Sequence, residues 1–522
     1  MKKSLTLLSF FMIVFQADAQ IKFQKTFGGN ATDVGYSVQQ TTDGGYIIAG
    51  LTYSFGAGNS DVYLIKTDAN GDAIWTRTFG GSSDEQAYSV QQTTDAGYII
   101  TGRTSSFGAG ATDVYLIRTD VNGNLLWTKT FGGADNDWGN SVQQTNDGGF
   151  IILGVSSSFG ASFQKVYLIK TDTIGNLIWT KTFGGTNDGG LSIQQTADGG
   201  YVLCGGSEFG AGNVDVYLIK TDANGDSLWT KTYGGTEDDY GNSVQQTTDG
   251  GYIIAGNTNS SNSGNGNLYL IKTDSSGDSL WVKSFDLFGL ESGSSVKQTS
   301  DGGYIILGSE ANLASYIYNV LLIKTDSNGS PLWTKTFGTA NDDDGGYDVQ
   351  QTIDRGFVII GFTKSFTPGN ADFYLIKTDS SGNSGCNDGS ATSFTTFLTT
   401  QVSSSATMVT SPNTIASTPS ALTGNGGSSQ TLCTSVGLKD ARIENEFVII
   451  PNPTSSFFHI CISAPHREQQ IEIFNLLGEK IFSAADFQLP LPTIDCRLFP
   501  PGIYFVSLQS ENGIATQKLI KQ

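Results

Sequence analysis

Seven carboxylates hold one position in a pattern that recurs down most of the chain: Asp33, Glu85, Asp137, Asp188, Asp239, Glu291 and Asp344. Each stands five residues before the first apolar residue of a short alternating run, at Val38, Val90, Val142, Ile193, Val244, Val296 and Val349. Two chemistries suit such a set. Carboxylates gathered at one mouth of a channel coordinate a hard cation such as calcium through oxygen, or bind a polyol. Alternatively, each accepts N–H bonds from its own glycine-rich loop and caps it. Recurrence in every unit favours the cap, because repeats keep what each unit needs to fold. The two histidines, His459 and His466, lie outside the repeats. The repeats therefore hold no imidazole base, no His metal ligand and no Ser-His-Asp triad, and carboxylate chemistry is the acid-base option left to them. A glycosidase would need two of the seven set apart, and no pair is singled out by spacing.

Other residue types with chemical potential also have structural readings. The segment Asp68-Ala69-Asn70-Gly71-Asp72 lacks the twelve-residue spacing and terminal Glu of an EF-hand loop, so it reads as a strand-joining turn. It also lacks the Ser/Thr-x-Asp-x-Gly-x-Thr-Trp spacing of a sialidase Asp box, and Arg77, Arg103, Arg118 and Arg355 are few for that chemistry. Trp75, Trp127, Trp179, Trp229, Trp281 and Trp333 occupy equal places in successive repeats, as packing between repeats requires, rather than serving as sugar platforms. Trp138 is out of phase with them, in a loop at the expected mouth, and is the exposed aromatic candidate. The Gln39-Gln40 pair and its repeats fall on an inner strand, where amides either line a channel or hydrogen-bond between neighbouring repeats; the second is preferred.

The element that positions all of these is the stretch 61 to 81, DVYLIKTDANGDAIWTRTFGG, which alternates, breaks at a turn and alternates again. Its turn aspartate returns as Asp120, Asp172, Asp222, Asp274, Asp326 and Asp379, at intervals of 50 to 53 residues, which marks a repeat architecture. Each period reads as four strands: SVQQT innermost, then GYIIAG, VYLIKT and WTKTF outermost. A second turn aspartate recurs seven times, from Asp43 to Asp354, yet only six Trp-type strands follow a Thr-Asp turn. Residues 23 to 29, FQKTFGG, supply the seventh from the N-terminal side. The expectation is an all-β, seven-bladed β-propeller closed by an N-terminal strand, since closure removes exposed sheet edges.

Composition agrees, with 66 Gly, 11 Pro and 15% charged residues describing many short strands joined by glycine turns. A net charge of −20 gives no electrostatic support to nucleic-acid or membrane-surface binding. Residues 1 to 19 carry Lys2 and Lys3, an apolar run and Ala17-Asp18-Ala19, the pattern of a secretory signal peptide, and no later segment reads as a spanning helix. Export makes disulfides permissible. Cys386 and Cys433 bracket a Ser/Thr-rich, charge-poor stretch, residues 387 to 437, which reads as a linker or stalk; Cys461 and Cys496 form a second candidate pair. Cys204, inside an apolar strand, reads as a buried free thiol.

The VYLIKTDxxGxxxW pattern resembles pyrroloquinoline-quinone-type propeller repeats, in which a Trp docks between blades; the likeness covers roughly residues 21 to 385 and is architectural. From Val448 short alternating strands suggest a separate unit of β-sandwich size. There Pro451-Asn452-Pro453, Gly478, Gly502-Ile503-Tyr504 and Lys518-Leu519-Ile520 resemble the type A C-terminal sorting domain of the type IX secretion system. That resemblance implies recognition by the secretion machinery, passage across an outer membrane, removal of the domain and attachment to the cell surface. The expected layout is a signal peptide (1–19), a propeller (20–386), a linker (387–437) and a sorting domain (438–522). The functional expectation is a secreted or surface-attached, non-catalytic binding or scaffold protein for an extracellular glycan or protein. The alternative is a carbohydrate-active enzyme or lectin using the loop face, where irregular loops such as 55 to 60, 257 to 267 and 309 to 319 gather. No cofactor is expected, calcium at the acidic set being the one candidate.

Overall fold

The computed structural model describes residues 20–160, 163–185, 187–210, 213–261, 266–287, 289–312, 316–367 and 370–389. Beyond these it describes 394–397, 401–403, 415–417, 422–424, 428–437, 447–450, 457–462, 470–475, 480–485, 493–497, 499–510 and 513–521. Every element among the described residues is a strand. The chain divides into two compact units, residues 1–436 and 437–522.

In the first unit, strands Asp33–Gln40, Tyr46–Thr52, Asp61–Thr67 and Ala73–Gly80 pair antiparallel in chain order and make sheet one. The same meander recurs in sheets two to six, whose first strands are Glu85–Gln92, Asp137–Gln144, Gly189–Gln195, Asp239–Gln246 and Gly289–Gln298. Sheet seven has three consecutive strands, Asp344–Gln351, Phe357–Thr363 and Asp372–Thr378, and takes its fourth, Gln20–Gly28, from the other end of the chain. There Phe23 lies opposite Lys377 and Phe27 opposite Phe373.

The turns explain why the strands stop where they do. Asp43 accepts the Thr41 hydroxyl (2.5 Å) and the Gly45 N–H (3.1 Å), and buried Lys66 reaches its carboxylate at 2.9 Å. Six further copies of this ion pair exist, with Arg118 standing for lysine in sheet two. Asp68 Oδ1 accepts from Asn70 N (2.9 Å) and Asp72 N (2.8 Å), so this segment is the strand-joining turn that its sequence suggests.

Hydrophobic cores form between neighbouring sheets rather than within one. Tyr46, Ile48, Tyr63 and Ile65 of sheet one pack with Phe23, Phe27, Val358, Ile360, Phe373 and Leu375 of sheet seven. The outer-strand tryptophans extend this packing to the next sheet. Trp75 meets Tyr98 edge-on, with ring centroids 5.9 Å apart, and lies over Gly123, which has φ +75° and where a Cβ would come within 2.7 Å of the indole. Trp127, Trp179, Trp229, Trp281 and Trp333 repeat the contact, and Phe23 makes it with Tyr46 and Gly71.

Residues 387–437 differ from the linker expected of their composition. Short strands from this stretch pair with the outer strands of the sheets, in reverse order. Asp388–Gly389 joins sheet six, Phe394–Phe397 sheet five and Gln401–Ser403 sheet four. Then Ile415–Ser417 joins sheet two, Leu422–Gly424 joins sheet one, and Ser428–Gly437 lies beside Gln20–Gly28 of sheet seven. The physical reason is that an edge strand needs only backbone N–H and C=O groups and few charges, so a Ser/Thr-rich stretch serves as well for covering edges as for a stalk. Cys386 and Cys433 form the expected disulfide, separated by 47 residues.

The second unit contains a three-stranded sheet (Phe447–Ile450, Phe457–Ile462, Thr493–Asp495) and a four-stranded one (Lys480–Ala485, Gln470–Asn475, Gly502–Ser510, Gly513–Lys521). Ile471, Ile473, Ile494, Cys496, Tyr504, Val506 and Leu519 form its core. The Cys461–Cys496 pairing is not made: Cys496 is a buried free thiol, held among apolar side chains. Tyr504 donates its hydroxyl to Pro500 O at 2.7 Å, Gly502 opens its strand, and Lys518 pairs with Phe505. Pro451, Asn452, Pro453 and Gly478 lie outside the described residues.

Candidate ligand-binding cavity

The seven carboxylates are buried, each 0–3% exposed. Asp33 accepts Gly29 N (2.8 Å) and the Ser54 hydroxyl (2.7 Å); Glu85 accepts Gly81 N (2.7 Å) and Ser106 N (3.0 Å). Asp137 and Asp239 take Gly133 N (2.9 Å) and Gly235 N (2.8 Å), and Glu291 takes Gly289 N (3.0 Å). Asp188 is bonded by Gly185 N, and Asp344 by Thr339 N (3.2 Å) and the Ser365 hydroxyl (2.5 Å). These are loop-capping bonds, and none of the seven side chains lines the cavity described below.

Burial has an electrostatic consequence where a second carboxylate approaches. Asp372 and Asp33 both crowd Gly28, where a Cβ would lie 2.0 Å from one and 2.8 Å from the other. Burial and then the Asp33 charge push the Asp372 carboxyl up to about 7. Glu291 is pushed to about 7 by burial, with Asp286 and Glu310 adding to it. Among the described residues no three acidic, histidine or cysteine side chains converge on one point.

Trp138 lies on the strand Asp137–Gln144, opposite Val155, and is half-buried, rather than projecting from a loop. Sequence reasoning placed it in a loop because the inner strand begins earlier than its alternating run.

One cavity of about 800 Å³ is lined by the inner strands of all seven sheets. A β-bulge recurs in each of these strands, between Gly35 and Ser37 in sheet one and at equivalent places elsewhere. The extra residue stands outside the ladder, and a bulge re-aims its side chain. These residues are Tyr36, Tyr88, Asn140, Leu191, Asn242, Ser294 and Tyr347, and all of them line the cavity. They are missed by a period-two reading because a bulge shifts register without marking the sequence; the available signal is variation at one position between a small residue and a serine that otherwise recur.

The tyrosines come from consecutive sheets. Tyr36 stands between Tyr347 (4.8 Å between centroids) and Tyr88 (5.4 Å), so one wall is aromatic. Burial pushes all three hydroxyls above the usual phenol range, keeping them protonated at neutral pH. Asn140 and Asn242 line the cavity from sheets three and five, their amides donating to Gly190 O and Gly293 O, both at 2.8 Å.

Deeper along the strands, the Gln pairs bond between sheets. Gln39 Oε1 accepts Gln92 N (2.5 Å), Gln91 Oε1 accepts Gln144 N (2.6 Å), and the pattern continues through Gln143, Gln194 and Gln245 to Gln350, which accepts Gln40 N at 2.7 Å. The second amide of each pair accepts a turn N–H of the preceding sheet, as in Thr42 N to Gln92 Oε1 and Ile353 N to Gln40 Oε1, both 2.9 Å. Two positions break the pattern. Lys297 replaces the first glutamine in sheet six, and Asp348 replaces the bulge-following serine in sheet seven, where it accepts Val38 N (3.2 Å) and the Ser295 hydroxyl (3.0 Å).

The fold is thus all-β and built of repeated antiparallel sheets, carrying a cavity where their inner strands meet. Residues 448–522 match the secretion system C-terminal sorting domain. That domain marks a protein exported by the type IX machinery to the cell surface or beyond, so this chain is secreted or surface-attached. No helix among the described residues is long and apolar enough to cross a membrane. No curated protein matches the chain. Among solved structures, the crystal structure of Sqt1 from Chaetomium thermophilum is similar at 10% identity and a TM-score of 0.40, over 69% of this chain and 100% of that one.

Proposed function

We propose that the seven sheets close into a seven-bladed β-propeller and that the protein is an exported, non-catalytic binding protein whose ligand enters the central cavity. Closure is supported by the bonds from Gln40 to Gln350 and from Ile353 to Gln40, which join sheets one and seven as the pairs from one–two to five–six are joined, sheets six and seven sharing the second kind of bond through Gln351. The binding reading rests on one observation above all: the repeat varies where its side chains face the cavity, with Tyr36, Tyr88 and Tyr347 gathered on one wall. Selection for folding alone asks for uniformity, so a broken position inside a uniform repeat points to a ligand. Catalysis by paired carboxylates has less support, since Asp348 is the one carboxylate among the lining residues. A glycan array with the purified propeller tests the reading. Binding lost in the Tyr36→Ala, Tyr88→Ala double variant, with the melting temperature kept, is the expected result. A turnover screen finding hydrolysis that depends on Asp348 would replace binding with catalysis.

A further inference from the structure

The glutamine series fixes the direction of its amides. A backbone N–H only donates, so the amide oxygen must face the neighbouring sheet, and the NH₂ is the group left for the cavity. Gln39, Gln91, Gln143, Gln194, Gln245 and Gln350 all line the cavity with their oxygens engaged in this way. The seventh member of the level is Lys297, a cation with three donors and no acceptor, which also lines the cavity. The whole level therefore presents donors, one of them charged, to whatever stands inside. Asp348 is the opposing charge, and its carboxylate is already occupied by Val38 N and the hydroxyls of Ser295 and Ser37. The chain's net charge of −20 opposes anions in general, but at a Debye length of about 8 Å the outer carboxylates are largely screened from the cavity.

We infer that this donor level binds an oxyanion, and that the anion is the carboxylate of an acidic saccharide. The inference rests on the binding reading above and adds the ligand class to it. The saccharide part comes from the aromatic wall: Tyr36, Tyr88 and Tyr347 lie three residues up the strands from the amide level, about 10 Å at a strand's rise. A short acidic oligosaccharide spans that distance, with its carboxylate among the donors and a ring face against tyrosine.

Calorimetric titration of the full chain with a disaccharide ending in glucuronate (glucuronate below), its neutral glucose counterpart (glucose below) and inorganic sulfate tests this. Glucuronate should bind saturably, sulfate more weakly and glucose least. Lys297→Gln restores the residue that the other six sheets carry, so it should fold normally, and it should weaken glucuronate about tenfold or more by removing a charge-assisted bond. Asp348→Ser, which likewise restores the repeat, should tighten it. Glucuronate binding no better than glucose, or unchanged in Lys297→Gln, overturns the oxyanion site. Sulfate binding as tightly as glucuronate overturns the saccharide assignment. A neutral sugar whose binding is lost in Tyr36→Ala but indifferent to Lys297 would leave the binding reading standing and sink this inference alone.

Discussion

A carboxylate in this protein acts according to what lies beside it. Asp198 shows one case: burial works against its ionisation, but Lys220, the Thr196 hydroxyl and the Gly200 N–H outweigh it and hold the carboxyl down at about 2. Asp249 is held at about 2 in the same way by Thr247 and Lys272. Asp372 and Glu291 show the opposite case, both raised to about 7, by burial first. The two kinds pull stability in opposite directions with pH. The raised pair keep their protons in the folded chain while the unfolded chain releases them near pH 4, so their contribution is full below about pH 4 and is lost as pH rises through about 7. The depressed pair contribute above about pH 4 and lose that contribution as pH falls toward about 2. Their carboxylates are more than half exposed, so solvent screening keeps that contribution small. The melting temperature should therefore peak near pH 4, decline as pH rises to about 7 and level beyond it, as scanning fluorimetry from about pH 3 to 8 would read. Asp372→Asn should flatten that decline; a curve rising steadily from about pH 4 to 7 would contradict the buried-pair account.

At the scale of elements, much was legible. The alternation in residues 61 to 81 marks two strands and their turn, and Phe23 standing where Trp75 stands in its repeat is enough to give the N-terminal strand to sheet seven. The equal spacing of the tryptophans likewise foretells their packing between sheets. Two things were not legible, for different reasons. The bulge that turns Tyr36 toward the cavity is a register shift, and alternation carries no mark of it. The edge strands from residues 388 to 437 pair through backbone groups, which every residue has, so Ser/Thr richness could not separate them from a stalk. The N-terminal strand carries a clear expectation. Deleting residues 20–29 removes Phe23 and Phe27 from the core shared by sheets seven and one, and exposes both Asp372–Thr378 and Ser428–Gly437 as edges. The melting temperature should fall far more than for a ten-residue cut elsewhere on the surface. An unchanged value would refute the strand's role.

For the whole molecule, the division near residue 437 separates a folded cargo from its address. The sorting unit has its own core, built on Ile471, Ile473, Tyr504 and Val506. Removing residues 448–522 should leave the first unit folded, with its cavity intact, and stop it short of the cell surface. Surface labelling and fractionation of the truncated chain check this, and normal display would disprove the address. The position of the disulfide adds a mechanical consequence. Cys433 lies within Ser428–Gly437, and Cys386 follows the strand Asp372–Thr378 of sheet seven. A pull on the chain beyond residue 437 would, without that bond, peel the edge strands away one after another, each opening at a low force. With it, tension passes from Cys433 straight to Cys386, and the strands between them form a slack loop outside the load path. Traction on the sorting unit is then borne by a covalent link into sheet seven, and the outer edges of sheets one, two, four, five and six keep their covering strands.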